Sequence, residues 1–368
     1  MIYSLHDLWD YVERNANMNI ALTRKLAGAI GIKPAPAKNT ADPLFSWTAN
    51  WTNTFDRRKE DMVVMVNNAN RFTVSIFGVK RNKFKGIDSK MTAAIRNTLL
   101  AMNLNPELVD EYMRQAGEVE FSSNHDSKLT AWVNRQGLEA AFTVGRAVND
   151  SEGDIEFDDT MGYIVSRRHV GYSKNYSDSY VPAEKMIKSL SELTGKPAYK
   201  YRAFELLITL DLEIYKAIRR LIVPSNIEFA NLHKLIQDVF NWKNRHLHDF
   251  SVIDGKTMKS VEAGLRLSDF FPNYKKIIYT YDMGDNWEHS IELVRVIEEH
   301  DEESPYLLEA VGQTPPEDVG GIGGFIEFRE IMLDPTHPDH AETKEWAGYW
   351  SPELREWYTQ PRVVYYLI

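Results

Sequence analysis

Between Asn149 and Pro197 the regular spacing of apolar residues that marks the rest of this chain breaks down. The acidic run EGDIEFDD and the polar, tyrosine-bearing SKNYSDSY stand there instead, a composition that buries too little apolar surface to make a core. The break divides the 368 residues into two parts, each long enough for a core of its own. The reading that follows is a domain over 1–148, a polar acidic linker over 149–198 with a short ordered segment around Ala183–Leu193, and a second domain over 199–368.

In the first part, Phe45–Asn53, Met62–Asn67 and Arg71–Phe77 read as strands, the last two joined by the turn NNAN. Asp88 or Ser89 is placed to cap a helix over Met91–Met102. Asn105-Pro106 opens a second helix, with Gly117 past its end, and Leu129–Arg146 reads as a third. In the second part, Phe204, Leu206, Ile208 and Leu210 alternate as in a half-buried strand, and Asn226–Phe240 has helical spacing. Strands are expected at 246–253, 276–282 and 287–297, a Pro/Gly-rich loop at 312–324, and short helices at 325–333 and 352–360. Strands and helices in this order give an α+β protein of two domains, each a small mixed or antiparallel sheet packed with helices.

The chain has no cysteine, which excludes disulfides, thiolate metal sites and a thiol nucleophile, and suits a reducing cytoplasm. No apolar run approaches the ~20 residues of a membrane helix, so no membrane partner is expected. The net charge of −10 is uneven. Residues 1–150 carry 19 Lys and Arg against 16 Asp and Glu, whereas residues 151–368 carry 24 against 37. Nucleic acid, if a partner, therefore belongs to the first domain, where Arg57, Arg58 and Lys59 with Lys80, Arg81, Lys83 and Lys85 could form one basic patch. The bland reading is a charged, solvated sheet edge.

Seven of the ten histidines follow residue 232. His246 and His248 open an expected strand and are placed on one face of it. Gly284-Asp285 reads as a tight turn, so Trp287 and His289 point inward near a sheet end, with Asp282 and Asp285 beside the turn. Glu317 and Asp318 then precede a glycine run that lets backbone approach closely. Two readings stay open. His246, His248, Asp282, Asp285, Trp287, His289, Glu317 and Asp318 either tie loops to sheet ends or converge on a divalent metal or acid–base centre. No organic cofactor is expected, because neither a Walker nor a dinucleotide fingerprint is present.

The pieces IYKAIRRLIVP, LHKLIQDVFNWKNRHLHDF, YTYDMGDNWEH and GQTPPEDVGGIGGFIEF followed by LDPTHPDH run in order over the second domain. This domain resembles the plasmid pRiA4b ORF-3-like family, the TnpR-type passenger proteins of an insertion element. Tyr215 and Thr314 stand where the family usually carries tryptophan and often cysteine. TRKLAGAIGI, WTANW, RRKEDMVVMVN and DSKLTAWVN resemble, more loosely, a small uncharacterised bacterial domain. The resemblance implies an intracellular bacterial protein, regulatory or interacting with a protein or nucleic acid, in a plasmid or mobile-element setting. A metal-assisted hydrolase built on the histidine–carboxylate set and nucleic-acid binding through the first domain are the alternatives. No motif names a reaction or a substrate.

Overall fold

The computed structural model describes residues 17–36, 42–54, 59–81, 83–149, 160–171, 179–254 and 256–364. The chain divides into two compact units, Met1–Tyr199 and Lys200–Ile368. Both are mixed α+β, and among the described residues no helix is long and apolar enough to cross a membrane.

In the first unit the described strands are β1 (Met18–Leu22), β2 (Ala35–Pro36), β3 (Ser46–Thr52), β4 (Met62–Asn67), β5 (Thr73–Phe77) and β6 (Val119–Ser123). They form one mixed sheet in the order β2-β6-β1-β3-β4-β5. β1 runs parallel to β3 and β6, while β3, β4 and β5 make an antiparallel meander through the expected hairpin. Every residue of β4, MVVMVN, is buried, as a central strand covered on both faces requires. The helices are α1 (Arg24–Ile30), α2 (Ile87–Ala101), α3 (Pro106–Ala116), α4 (Ser127–Asn149), α5 (Thr160–Ser166) and α6 (Pro182–Thr194). Neither Asp88 nor Ser89 caps α2: its N-cap is Gly86, with φ 66°, and Asp88 lies in the first turn. α3 follows the expectation, with the Asn105 side chain accepting from Glu107 N–H behind Pro106.

The expectation of a linker over 149–198 needs correcting. Its described parts hold α6, which lies where the short ordered segment was expected, and α5, which was not expected and is docked on the edge strand β5. The hydroxyl of Ser166 accepts from Thr73 N–H at 2.8 Å, satisfying an edge donor that would otherwise lack a partner. A Cβ on Gly162 would stand 2.6 Å from Thr73 O, so only glycine lets helix and strand approach this closely. Low apolar density in the sequence concealed a helix held by backbone proximity rather than by a wide apolar face. The acidic run itself lies outside the described residues.

The second unit holds β7 (Tyr201–Asp211), β8 (Lys216–Pro224), β9 (His248–Asp254), β10 (Thr257–Ser260), β11 (Lys276–Tyr281), β12 (Trp287–His300), β13 (Tyr306–Val311) and β14 (Arg362–Val363). They form an antiparallel sheet in the order β10-β9-β11-β12-β7-β8-β13-β14. α7 (Phe229–Phe240) lays Leu232, Leu235, Ile236 and Val239 into a core shared with Phe204, Leu206, Ile208 and Leu210 of β7. On β7, the fully buried Glu205 carboxylate is paired with Arg220 and Arg295, each at 2.5 Å. β8, β10, β13 and β14 were not expected from the sequence. Consecutive Arg219 and Arg220 break the apolar pattern of β8, because one arginine is buried and the other faces Glu205. The late helices also differ: α8 (Gly321–Leu333) begins within the glycine run, α9 (His340–Ala347) was not expected, and α10 spans only Glu356–Thr359.

Candidate functional site

β11 and β12 form a hairpin whose turn carries the first ligand candidate. Asp282, with φ 58°, and Asn286, with φ 57°, adopt the left-handed conformation that short polar side chains tolerate. The Asp282 Oδ1 accepts from the N–H groups of Gly284 at 2.9 Å and Asp285 at 3.3 Å, an Asx turn. Asp282 N–H in turn donates to Leu247 O at 2.9 Å, which fastens the turn beside the segment leading into β9.

That segment presents His246. Its Nδ1 lies 3.5 Å from Asp282 Oδ2, while its Nε2 lies 3.1 Å from Asp318 Oδ1 and 3.5 Å from Glu317 Oε2. One half-buried imidazole is thus flanked by three carboxylates. Glu317 is held from the other side: its Oε1 accepts from Lys243 N–H at 2.5 Å, and the Tyr281 hydroxyl reaches both its oxygens at 3.1 Å. Burial, with the neighbouring Glu317 charge adding to it, pushes the Tyr281 phenol far up, so it donates as a neutral hydroxyl. Asp318, with φ 61°, is the exposed member of the set.

One donor atom each from His246, Asp282 and Asp318 can be chosen so that all lie within 4.8 Å of one another. Donors around a tetrahedral zinc ion stand about 3.4 Å apart. Asp282 faces the Nδ1 of His246 and Asp318 its Nε2, so gathering one atom from each to that spacing requires a side chain to move, and Asp318, 61% exposed, is the most exposed of the three. Two carboxylates and an imidazole suit a borderline divalent ion such as Zn²⁺ or Mn²⁺.

The other expected site residues lie elsewhere. His248 is the first paired residue of β9, opposite Tyr281, so His246 precedes the strand and period-two alternation does not relate the two histidines. His248 instead stacks on His233 of α7, with ring centroids 3.5 Å apart and planes within 4°. His233 bonds to the Tyr279 hydroxyl and the Asn244 side chain, each at 2.8 Å, and burial with the adjacent His248 holds its pKa at about 4. Asp285 accepts from Gly320 N–H at 3.1 Å and joins the turn to the glycine loop without entering the cluster. Trp287 and His289 do point inward, but as core: Trp287 stacks on Trp242 at 5.8 Å, and His289 is fully buried. An imidazole turned inward beside that turn would be expected to pair with a carboxylate or a loop carbonyl. The His289 Nδ1 bonds instead to the strand carbonyls of Trp287 at 3.0 Å and Tyr279 at 3.3 Å, because the inward face lies behind the turn. Tyr281 and Lys243 were missed. The inward alternation of Ile277, Tyr279 and Tyr281 was the available signal for Tyr281, whereas Lys243 acts only through its backbone.

In the first unit, Lys59, Lys80, Arg81, Lys83 and Lys85 are exposed. The bond from Val79 N–H to Asp61 O brings the two segments that carry them alongside each other. Arg57 and Arg58 lie outside the described residues.

Residues 202–357 match the family described as plasmid pRiA4b ORF-3-like protein, and residues 19–182 match a domain of unknown function, DUF6933. The chain is 40% identical over 152 residues to the uncharacterized protein y4hQ of Sinorhizobium fredii (strain NBRC 101917 / NGR234), covering 38% of this chain and 78% of that protein. It is also similar to the crystal structure of a protein of unknown function from Methanosarcina mazei Go1, at 29% identity and a TM-score of 0.40, covering 43% of this chain and 97% of that one. Through its second unit, whose motifs build the cluster at His246, the chain belongs to the plasmid pRiA4b ORF-3-like protein family.

Proposed function

We propose that the second unit binds a divalent cation through His246, Asp282 and Asp318, and that the bound ion activates water for hydrolysis. The observation that supports this reading is the convergence of three donor atoms, from two loops and a strand entry, to within 4.8 Å. Two carboxylates balance the charge of the ion, and three protein ligands leave a position for water, the arrangement of catalytic rather than structural zinc sites. A bound water acidified toward neutrality is a nucleophile. Glu317, fixed by Tyr281 and Lys243, stands beside the ligand set as the group to take its proton. This reading stands ahead of a regulatory or interaction role in a mobile-element setting because it assigns the function to particular atoms.

The test is metal content and calorimetric titration with Zn²⁺ and Mn²⁺, on protein purified without a histidine tag. About one equivalent is expected, lost in His246→Ala and Asp318→Ala. Absence of stoichiometric binding, together with an unchanged melting temperature in the presence of either ion, would overturn the reading. If the ion binds, turnover of chromogenic esters and phosphoesters that is abolished by chelation tests the hydrolytic step.

A further inference from the structure

Arg219 of β8 is 1% exposed, the most deeply buried cation described in the second unit. Its Nε donates to Val239 O at 2.6 Å, its Nη1 to Ile218 O, Val311 O and Gly312 O at 2.8, 3.0 and 3.2 Å, and its Nη2 to Thr314 Oγ1 at 3.3 Å. Every acceptor is neutral. Among the described residues no carboxylate pairs with Arg219, and the strongest charged influence on it is a second cation, Arg362. Its charge also bears on His289. Burying a charge without a counter-ion is unfavourable, and carbonyl dipoles offset that only in part. Burial and Arg362 together lower its pKa to about 10, so the guanidinium remains charged at neutral pH.

This cation forms part of the wall of a cavity of about 440 Å³, within the size range of small-molecule sites. Lys243 and Arg355 add positive charge to the lining, so its three cations outnumber the two carboxylates, Glu317 and Glu353, and Trp346, Tyr349 and Trp350 supply aromatic surface. Tyr349 is 92% exposed and Trp346 52%, so large rings stand in water at the mouth, where a bound ring would cover them. Trp350 Nε1–H donates to Thr314 O at 2.9 Å, linking the aromatic wall to the residue that Arg219 holds.

We infer that this cavity binds a small aromatic oxyanion, its carboxylate or phosphate directed to Arg219, Lys243 and Thr314 and its ring set among Trp346, Tyr349 and Trp350. The positive charge selects the anion, and the exposed rings select a planar apolar body. Glu317 also lines the cavity and lies 3.5 Å from His246. A ligand held here is therefore beside the proposed metal centre. Its role as substrate there rests on the hydrolytic reading, while its binding does not.

The experiment is calorimetric titration of the full chain, treated with EDTA, with phenyl phosphate, benzoate and phenol. Saturable binding of phenyl phosphate or benzoate is expected, with phenol at least about tenfold weaker. The tighter oxyanion identifies whether phosphate or carboxylate is preferred. Tyr349→Ala and Arg355→Ala, both at exposed positions, are each expected to weaken oxyanion binding several-fold without a change in melting temperature. Phenol binding as tightly as the oxyanions, affinity unchanged in the Tyr349→Ala/Arg355→Ala double variant, or no saturable binding would overturn the inference. Because metal is excluded from the titration, failure of the metal reading leaves the expected result intact.

Discussion

Replacing His289 with leucine separates a buried histidine's contribution to acid sensitivity from everything else in the chain. The imidazole packs against Phe240, with ring centroids 4.7 Å apart, and Tyr279, at 5.3 Å. Its Nδ1 faces two carbonyls, so the proton resides there, while Nε2 meets no partner among the described residues. Burial, opposed only in part by these carbonyls and reinforced by the Arg219 charge, holds its pKa at about 4, against an ordinary value of 6.5. The unfolded chain therefore binds more protons than the folded one between these values. Stability from this group is complete above the unfolded pKa and falls as the pH drops toward the folded one. The gap corresponds to roughly 3 kcal/mol in full, of which about 2 kcal/mol is lost between pH 8 and pH 5. His289→Leu removes this dependence, at a cost of about 1 kcal/mol at pH 8 for the lost Nδ1–H bond. His233, also held at about 4, remains in both proteins, so the difference between them isolates His289. Urea denaturation at pH 8, 6.5 and 5 reads this directly: the parent declines more steeply, and the two converge or cross by pH 5. Parallel declines would refute the assignment of a neutral, proton-excluding imidazole at this position.

Three further outcomes are expected. Asp282→Asn keeps both N–H contacts at Oδ1 and the left-handed backbone but removes the charge, so thermal stability should hold while divalent-ion affinity falls at least about tenfold by calorimetry; undiminished affinity would remove Asp282 from the ligand set. Gly324→Ala places a Cβ 2.1 Å from Val319 O and should cost roughly 1–3 kcal/mol or more in chemical denaturation. An unchanged midpoint there would mean that the loop can step aside. Gly162→Ala should destabilise the first unit by a similar amount and speed hydrogen exchange at the Thr73 amide, whereas normal protection would contradict the docking of α5 on β5.

Alternation and turn chemistry carried the sequence reading wherever one face of a strand was apolar and the other was not. The NNAN hairpin and the inward Trp287 and His289 were legible for that reason, whereas Met62–Asn67, buried throughout, was legible as a short continuous apolar run. The cluster was legible in part: His246, Asp282, Glu317 and Asp318 meet, because each lies at a strand end or in a turn the pattern could locate. His248 was drawn in wrongly, since a strand's first paired residue cannot be read to within two positions, and a shift of that size decides whether alternation applies. β8 was missed because an arginine in its pattern signals solvent. Arg219 is instead buried by spending its hydrogen bonds on carbonyls that other strands and a helix end bring to it. No local window contains those carbonyls. The same is true of α5, whose hold on the sheet is a missing Cβ and one hydroxyl.

The glycine run has a thermodynamic consequence for anything that binds at His246. Gly321 lies where a Cβ would come within 2.9 Å of Asp285 O, and Gly320 N–H is bonded to the Asp285 carboxylate. The loop that carries Asp318 and the turn that carries Asp282 are therefore fastened to each other before any ion arrives. A cation entering there finds its donors already gathered, so little chain entropy is lost on binding and the opposing cost is mainly its own dehydration. Binding of that kind should show a small heat-capacity change and leave hydrogen exchange across residues 282–286 and 317–324 nearly as slow without the ion as with it.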